Sequence, residues 1–258
     1  MKLNIEGKNA LVCGSTQGIG KATAIGLAEE GANVTLVARN EDKLKAVLSE
    51  LPNSNQNHSY IVADFTKPKE LKEKIEASSC EFHILINNTG GPAGGPVFNA
   101  ELNEFERAFT MHLKCNHVLV QAVVPFMKKE CYGRIINVIS TSVKQPLDGL
   151  GVSNTIRGAV ANWSKTMANE LGQFGITVNN VLPGATATER LNEIINNKSK
   201  KTGKAVEEVI QTMKNAAPAK RFAQPEEVAN AIVFLASERA SFINGINVPV
   251  DGGRTKSL

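Results

Sequence analysis

Short apolar runs rich in β-branched residues alternate along this chain with longer segments whose apolar positions recur every three to four residues. Lys8–Gly14 is an apolar strand closed by glycine. Ile19–Glu30 follows as a helix, with Ile19, Ala22, Ile25, Gly26 and Leu27 on one side and Gly31 as its stop. The same alternation predicts strands at Asn33–Ala38, His58–Val62, Phe82–Asn87, Arg134–Ile139, Ile176–Leu182 and Asn247–Val250. Helices are predicted between them at Glu41–Leu51, Leu71–Ala77, Leu102–Lys129, Gly151–Phe174 and Pro225–Ala236. The strands lack polar alternation, as expected where helices cover both faces of a sheet. Strand–helix alternation of this kind implies right-handed βαβ crossovers. The expected fold is α/β: one Rossmann-type, doubly wound parallel sheet of about seven strands with helices on both faces. No linker interrupts the pattern, so residues 1–258 are read as one dinucleotide-binding domain. The polar Lys/Asn-rich stretch Thr186–Asn215 is read as a helical excursion within it that covers a substrate.

Composition narrows the function classes. A net charge of +4 without a run of five Lys/Arg argues against nucleic acid as partner. No apolar stretch reaches the ~18 residues of a membrane span. Asn4, Glu6 and Gly7 occupy the place of a signal peptide's apolar core, so a cytoplasmic protein is expected. Cys13, Cys80, Cys115 and Cys131 are scattered and read as buried thiols, not as disulfide or zinc ligands. His112, Cys115 and His117 lie close together, but only His112 and Cys115 share a helix face, and no metal site is expected.

The turn Gly14-Ser15-Thr16-Gln17-Gly18-Ile19-Gly20 joins the first strand to the first helix. Gly14 permits a tight turn, Gly18 a close approach to a pyrophosphate, and Gly20 close packing of helix on strand. The helix N-terminus then offers free N–H groups and partial positive charge to phosphates. At the end of the second strand, where an NAD site carries an acid for the ribose 2′-hydroxyl, the chain reads Ala38-Arg39-Asn40. A cation there suits a 2′-phosphate, so NADP(H) is expected over NAD(H).

Taken in order, these motifs make the chain resemble the short-chain dehydrogenase/reductases over essentially its whole length. Asp64 stands where the family places an adenine-contacting aspartate, and Asn87-Asn88-Thr89-Gly90 resembles the family's Asn-Asn-Ala-Gly, implying that Asn88 and Gly90 bind cofactor. Pro183-Gly184 with Thr188 is similar to the segment that covers the nicotinamide. Arg221, Pro225–Ala229, Phe234–Ser237 and Val250-Asp251-Gly252-Gly253 are similar to the 3-oxoacyl-acyl-carrier-protein reductase branch. The resemblance implies an oxidoreductase acting on a small carbonyl or alcohol, and a homotetramer.

It also implies a catalytic Asn, Ser, Tyr and Lys, of which only Ser140 is kept. Thirteen residues further on, the Tyr-x-x-x-Lys motif is replaced by Ser153-Asn154-Thr155-Ile156-Arg157, and the helix asparagine by His112. A small subgroup of reductase-like members carries a similar Ser-Asn-x-x-Arg segment. Neither Tyr60, in the third strand, nor Tyr132, before the fifth, is placed to substitute. A serine is a poor general acid near neutral pH, and an arginine keeps its charge without shuttling protons. Two groups are candidates for the missing acid. Lys144 is four residues beyond Ser140, with a solvated loop lysine as the plainer reading; His112 titrates in a useful range, with a packed helix histidine as the plainer reading. Asp148 could orient either, and Ser142 could assist Ser140. Two functions stay open: an NADP(H)-dependent oxidoreductase with a displaced proton donor, and a cofactor-binding sensor or scaffold without hydride transfer.

Overall fold

The computed structural model describes residues 2–78 and 81–257. Its seven strands are β1 (Asn9–Cys13), β2 (Asn33–Ala38), β3 (Ser59–Val62), β4 (Ile84–Asn87), β5 (Gly133–Val138), β6 (Ile176–Pro183) and β7 (Asn247–Val250). All pair in parallel, in the order β3-β2-β1-β4-β5-β6-β7. The order reverses between β1 and β4, where open α/β sheets place a crevice beyond the carboxyl ends of their strands.

The apolar character of each strand on both faces now has its cause. Val12, Leu36, Ile84 and Ile86 point into one core layer. That layer is closed by α1 (Gly18–Glu29), α2 (Glu41–Glu50) and α9 (Pro225–Ala236). Leu11, Val37, Leu85 and Ile135 point the other way. There they meet α3 (Pro68–Ala77), α5 (Cys115–Lys129) and α6 (Gly151–Leu171). Both layers exclude water from the sheet.

Several boundaries differ from the sequence expectations. α3 starts at Pro68 rather than Leu71, because proline fits the first turn, where no N–H is needed. α6 ends at Leu171, and Gly172–Phe174 tighten into a 3₁₀ turn closed by Gly175 at φ 72°. The long helix expected over Leu102–Lys129 is broken. It comprises α4 (Leu102–Phe109), a π-helical segment at Thr110–Lys114, and α5. Its apolar periodicity carries no mark of the extra residue in that turn.

The polar stretch after β6 forms two helices, α7 (Glu189–Thr202) and α8 (Val206–Asn215). They have a small apolar cluster of their own, Leu191, Ile195 and Val209, apart from the two main layers. Cys13 and Cys115 are buried as expected, and burial pushes the Cys115 thiol up to about 12. Cys131 corrects the expectation: it is exposed, in the turn after α5 at φ 49°. Cys80 lies outside the described residues.

Candidate active site

The predicted cofactor residues gather at the carboxyl ends of the strands. Gly14 leaves β1 at φ 60°, and a Cβ there would collide with the Asn88 carbonyl oxygen. Gly20 is just as tight, since a Cβ on it would run into the Gly14 carbonyl. The Asn88 side-chain amide donates to the Cys13 and Gly14 carbonyls, both at 3.3 Å. Asn88 therefore braces the turn from β4. Ile19 packs its side chain into the first core layer and anchors the helix start, while Thr16 and Gly18 stay partly accessible.

The fit of this turn to a dinucleotide rests on two local facts. Gln17 at the N-cap makes no side-chain capping bond, and the first turn of α1 holds no acidic residue, which leaves its N–H groups to an anion. Ser15 is fully buried, yet its Oγ has no hydrogen-bond partner among the described residues. A buried hydroxyl of that kind calls for a ligand or water. Arg39 is exposed at the end of β2 and forms no ion pair among the described residues. Asp64 stands close by. The Thr66 N–H at 2.9 Å holds its carboxyl below the usual range, and Arg39 adds to this. Across the crevice, Thr188 caps α7 and rests on the turn, its Cγ2 2.8 Å from where a Cβ at Gly18 would sit. Gly184 packs flat on Asp251 of the C-terminal tail. Gly90 is exposed at the rim.

The predicted catalytic residues follow β5 and lie on α6. Ser140 follows β5 in extended backbone, and its Oγ accepts from the Ser142 N–H at 3.1 Å. That contact occupies a lone pair and leaves the hydroxyl hydrogen to donate elsewhere. Ser153 and Arg157 lie one turn apart on α6, Ser153 half-buried and Arg157 only 7% exposed. The Arg157 Nη1 donates to the Val138 carbonyl at 3.1 Å. No carboxylate pairs with Arg157 among the described residues, and burial lowers it to about 10, still cationic at neutral pH.

His112 is a correction. It sits on the π-helical segment, 2% exposed, with Nδ1 2.7 Å from the Thr89 hydroxyl. Burial, and then the charge of Arg157, lower it to about 2. It is a neutral imidazole, not an acid that titrates in a useful range. It does not join Cys115 either, whose Sγ donates to the Phe65 carbonyl at 2.9 Å. Lys144 is half-buried one turn beyond Ser140, and its carbonyl takes the Ser257 hydroxyl of the tail. Asp148 is exposed. Ser142 is buried, with its Oγ unpartnered among the described residues. Both tyrosines are engaged elsewhere: Tyr60 donates to Glu41, Tyr132 to the Ala236 carbonyl.

Two features escaped the sequence reading. Thr89 stood out only as a departure from alanine, because nothing in one dimension pairs it with His112. Asn87, Asn137, Asn180 and Asn247 share one register across β4, β5, β6 and β7. Their amides are linked in series at 2.8, 3.0 and 2.8 Å, tying the four strands together. Nothing in one dimension shows that these four side chains meet.

With this geometry in place, comparison with known proteins is direct. A family profile described as Enoyl-(Acyl carrier protein) reductase matches residues 14–255. The chain belongs to the short-chain dehydrogenase/reductase family. It is 30% identical over 256 residues to the NADPH-dependent reductase BacG of Bacillus subtilis, covering 97% of this chain and 99% of that one. It is 32% identical over 252 residues to the 3-oxoacyl-[acyl-carrier-protein] reductase FabG of Staphylococcus epidermidis, covering 95% and 98%. The crystal structure of L-sorbose reductase from Gluconobacter frateurii, complexed with NADPH and L-sorbose, superposes with a TM-score of 0.92 at 33% identity, over the full length of both chains.

Proposed function

We propose that this protein is an NADP(H)-dependent oxidoreductase that moves a hydride between the nicotinamide and a small carbonyl or alcohol substrate. The observation that carries this reading is the placement of Arg157 and Ser140 beside a cofactor cradle. A buried cation without a counter-ion among the described residues is held at the strand end that presents a free hydroxyl hydrogen. The names of the relatives, NADPH-dependent reductase and L-sorbose reductase among them, support the same chemistry.

Gly14, Gly18 and Gly20, with the N–H groups of α1 and the Ser15 hydroxyl, would hold the pyrophosphate and adjoining ribose. Arg39 would take the 2′-phosphate, and Asp64 would border the adenine. Arg157 would meet the nicotinamide ribose, and Pro183, Gly184 and Thr188 would close over the ring. When bound, NADPH supplies the hydride. Ser140 donates a hydrogen bond to the carbonyl oxygen. Arg157 offsets negative charge growing on that oxygen, in a low-dielectric site where a fixed cation acts strongly. The alcohol oxygen then needs a proton. His112 is neutral and buried, and Ser153 is a weak acid, so we assign the proton to Lys144 or to water beside it. The helices α7 and α8 cover the substrate. A 3-oxoacyl thioester or similar ketone is the substrate class the family resemblance suggests.

A homo-oligomer, with a tetramer as its expected form, accords with exposed Phe98 and Leu102 at and just before the start of α4 and with Phe242 and Ile246 just before β7. We place the protein in the cytoplasm, where its cysteines stay reduced. NADPH consumption across a panel of ketones, 3-oxoacyl thioesters and keto sugars, for wild type beside Ser140→Ala, tests the reading. Ser140-dependent turnover is expected. Tight NADPH binding with no turnover on any carbonyl would overturn it and leave a cofactor-binding protein.

A further inference from the structure

Three positions at which the chain departs from its family's pattern lie together. Thr89 lies two residues beyond β4, His112 projects inward from the π-helical segment, and Arg157 reaches in from α6. The Thr89 hydroxyl and His112 Nδ1 are 2.7 Å apart. The charge of Arg157 acts on the same imidazole. The loop that carries Thr89 also borders the guanidinium: a Cβ on Gly91 would lie 3.8 Å from Arg157 Nη2. We propose that Thr89 is a positioning residue, whose hydroxyl locks the His112 ring so that His112 and the loop after β4 hold the Arg157 guanidinium in its working place.

The physical case follows from burial. A neutral imidazole has one donor and one acceptor nitrogen, and the partner of one sets the role of the other. Among the described residues, the Thr89 hydroxyl is the one hydrogen-bond partner of the ring. A π-helical turn is rare and is frequently found at functional sites. Here it carries a buried histidine that feels the charge of Arg157. Arginine's planar, rigid fork must also be aimed, whereas a flexible lysine ammonium can find its partners from several directions. A site built around Arg157 therefore needs its neighbours held in place, and the loop at Gly91, two residues beyond Thr89, borders the guanidinium. The hydroxyl is the operative group, not the volume of the side chain.

The catalytic part of this inference rests on the reductase reading; the lock itself does not. Thr89→Val keeps the shape and removes the hydroxyl, while Thr89→Ser keeps the hydroxyl. With the carbonyl that wild type turns over fastest, Thr89→Val is expected to lower kcat about tenfold with little change in the carbonyl KM, and Thr89→Ser to restore most of it. NADPH affinity is measured for Thr89→Val, Arg157→Lys and the double variant. Thr89→Val is expected to weaken binding when Arg157 is present and to have no effect on top of Arg157→Lys, which is the signature of action through Arg157. In ¹⁵N-histidine spectra the His112 ring nitrogens should shift in Thr89→Val and return in Thr89→Ser. Unchanged ring nitrogens, equal loss in the Val and Ser variants, or an equal effect of Thr89→Val in both backgrounds would each overturn the proposal. If wild type reduces no carbonyl, the reductase reading fails alone, and the spectra and the binding cycle still decide the lock.

Discussion

Arg157 Nη1 donates to the carbonyl of Val138 at 3.1 Å, two residues before Ser140. This one bond ties helix α6 to the end of β5. It also holds a guanidinium in a buried place with no carboxylate beside it among the described residues. Such a group is costly to desolvate.

That cost leads to opposite effects on stability and activity. Arg157→Met keeps the apolar stem and removes the charge. It should stabilise the fold by about 1 kcal/mol, a rise of roughly 2–4 °C in Tm for a chain of this size. NADPH-dependent turnover should fall by about 100-fold, as when one preorganised electrostatic group is lost. Differential scanning fluorimetry and steady-state kinetics on one preparation check both halves. A variant that is both less stable and fully active would contradict the assignment.

Ser140→Ala removes one contact seen in the structure and one that the proposed mechanism requires. The Ser142 N–H loses its acceptor, at a cost of about 1 kcal/mol, since Ser140 caps the turn Thr141–Val143. The reacting oxygen loses its donor, which should lower kcat by about 100-fold or more. Chemical denaturation and a single-turnover experiment separate the two. A stability loss with unchanged hydride transfer would remove Ser140 from the mechanism.

His112 makes an acid-stability prediction. Its folded value, about 2, lies below its ordinary value near 6.5. Below pH 6.5 the unfolded chain binds a proton that the folded one does not, so stability falls as the pH falls. Between about pH 7 and about pH 5 this group alone should remove about 2 kcal/mol. His112→Asn should lose correspondingly less over the same range, whatever its stability at neutral pH. Burial also lowers His83, which contributes to both proteins alike and cancels in the comparison. Urea midpoints at the two pH values give the answer, and parallel losses in the two proteins would show that His112 is not buried neutral.

Arg39 should decide between the two nicotinamide cofactors. It is exposed and makes no ion pair among the described residues, so Arg39→Ala should leave Tm unchanged. Its removal should raise the KM for NADPH by about tenfold, the loss of a charge-assisted contact to a phosphate, while leaving the KM for NADH in place. Equal effects on both cofactors would assign the 2′-phosphate to another group.

What could be read along the chain was what local physics writes there. Continuous apolar runs such as Asn33–Ala38 announce strands buried on both faces. The spacing of Gly14, Gly18 and Gly20 announces a turn that admits no side chain at two points. The order of these signals, with Arg39 after the second run, already places the cofactor end of the site. These features are legible because each depends on residues close in sequence; Ser140 and the missing tyrosine were legible only through the resemblance to a known family.

The rest depends on groups that meet only once the sheet has formed. His112 looked like a titratable candidate because a sequence shows a residue type and not its dielectric surroundings; burial and the nearby guanidinium make it neutral. The π-helical segment that turns it inward leaves no period in the apolar pattern. Thr89 and His112 are 23 residues apart, and Val138 and Arg157 are 19 apart. The amide series from Asn87 to Asn247 spans four strands. The sequence by itself determined the sheet, the cofactor turn and the identity of the polar groups at the strand ends. The tertiary structure alone decided which of those groups are charged and which are paired, because burial and through-space electrostatics are properties of the packed chain.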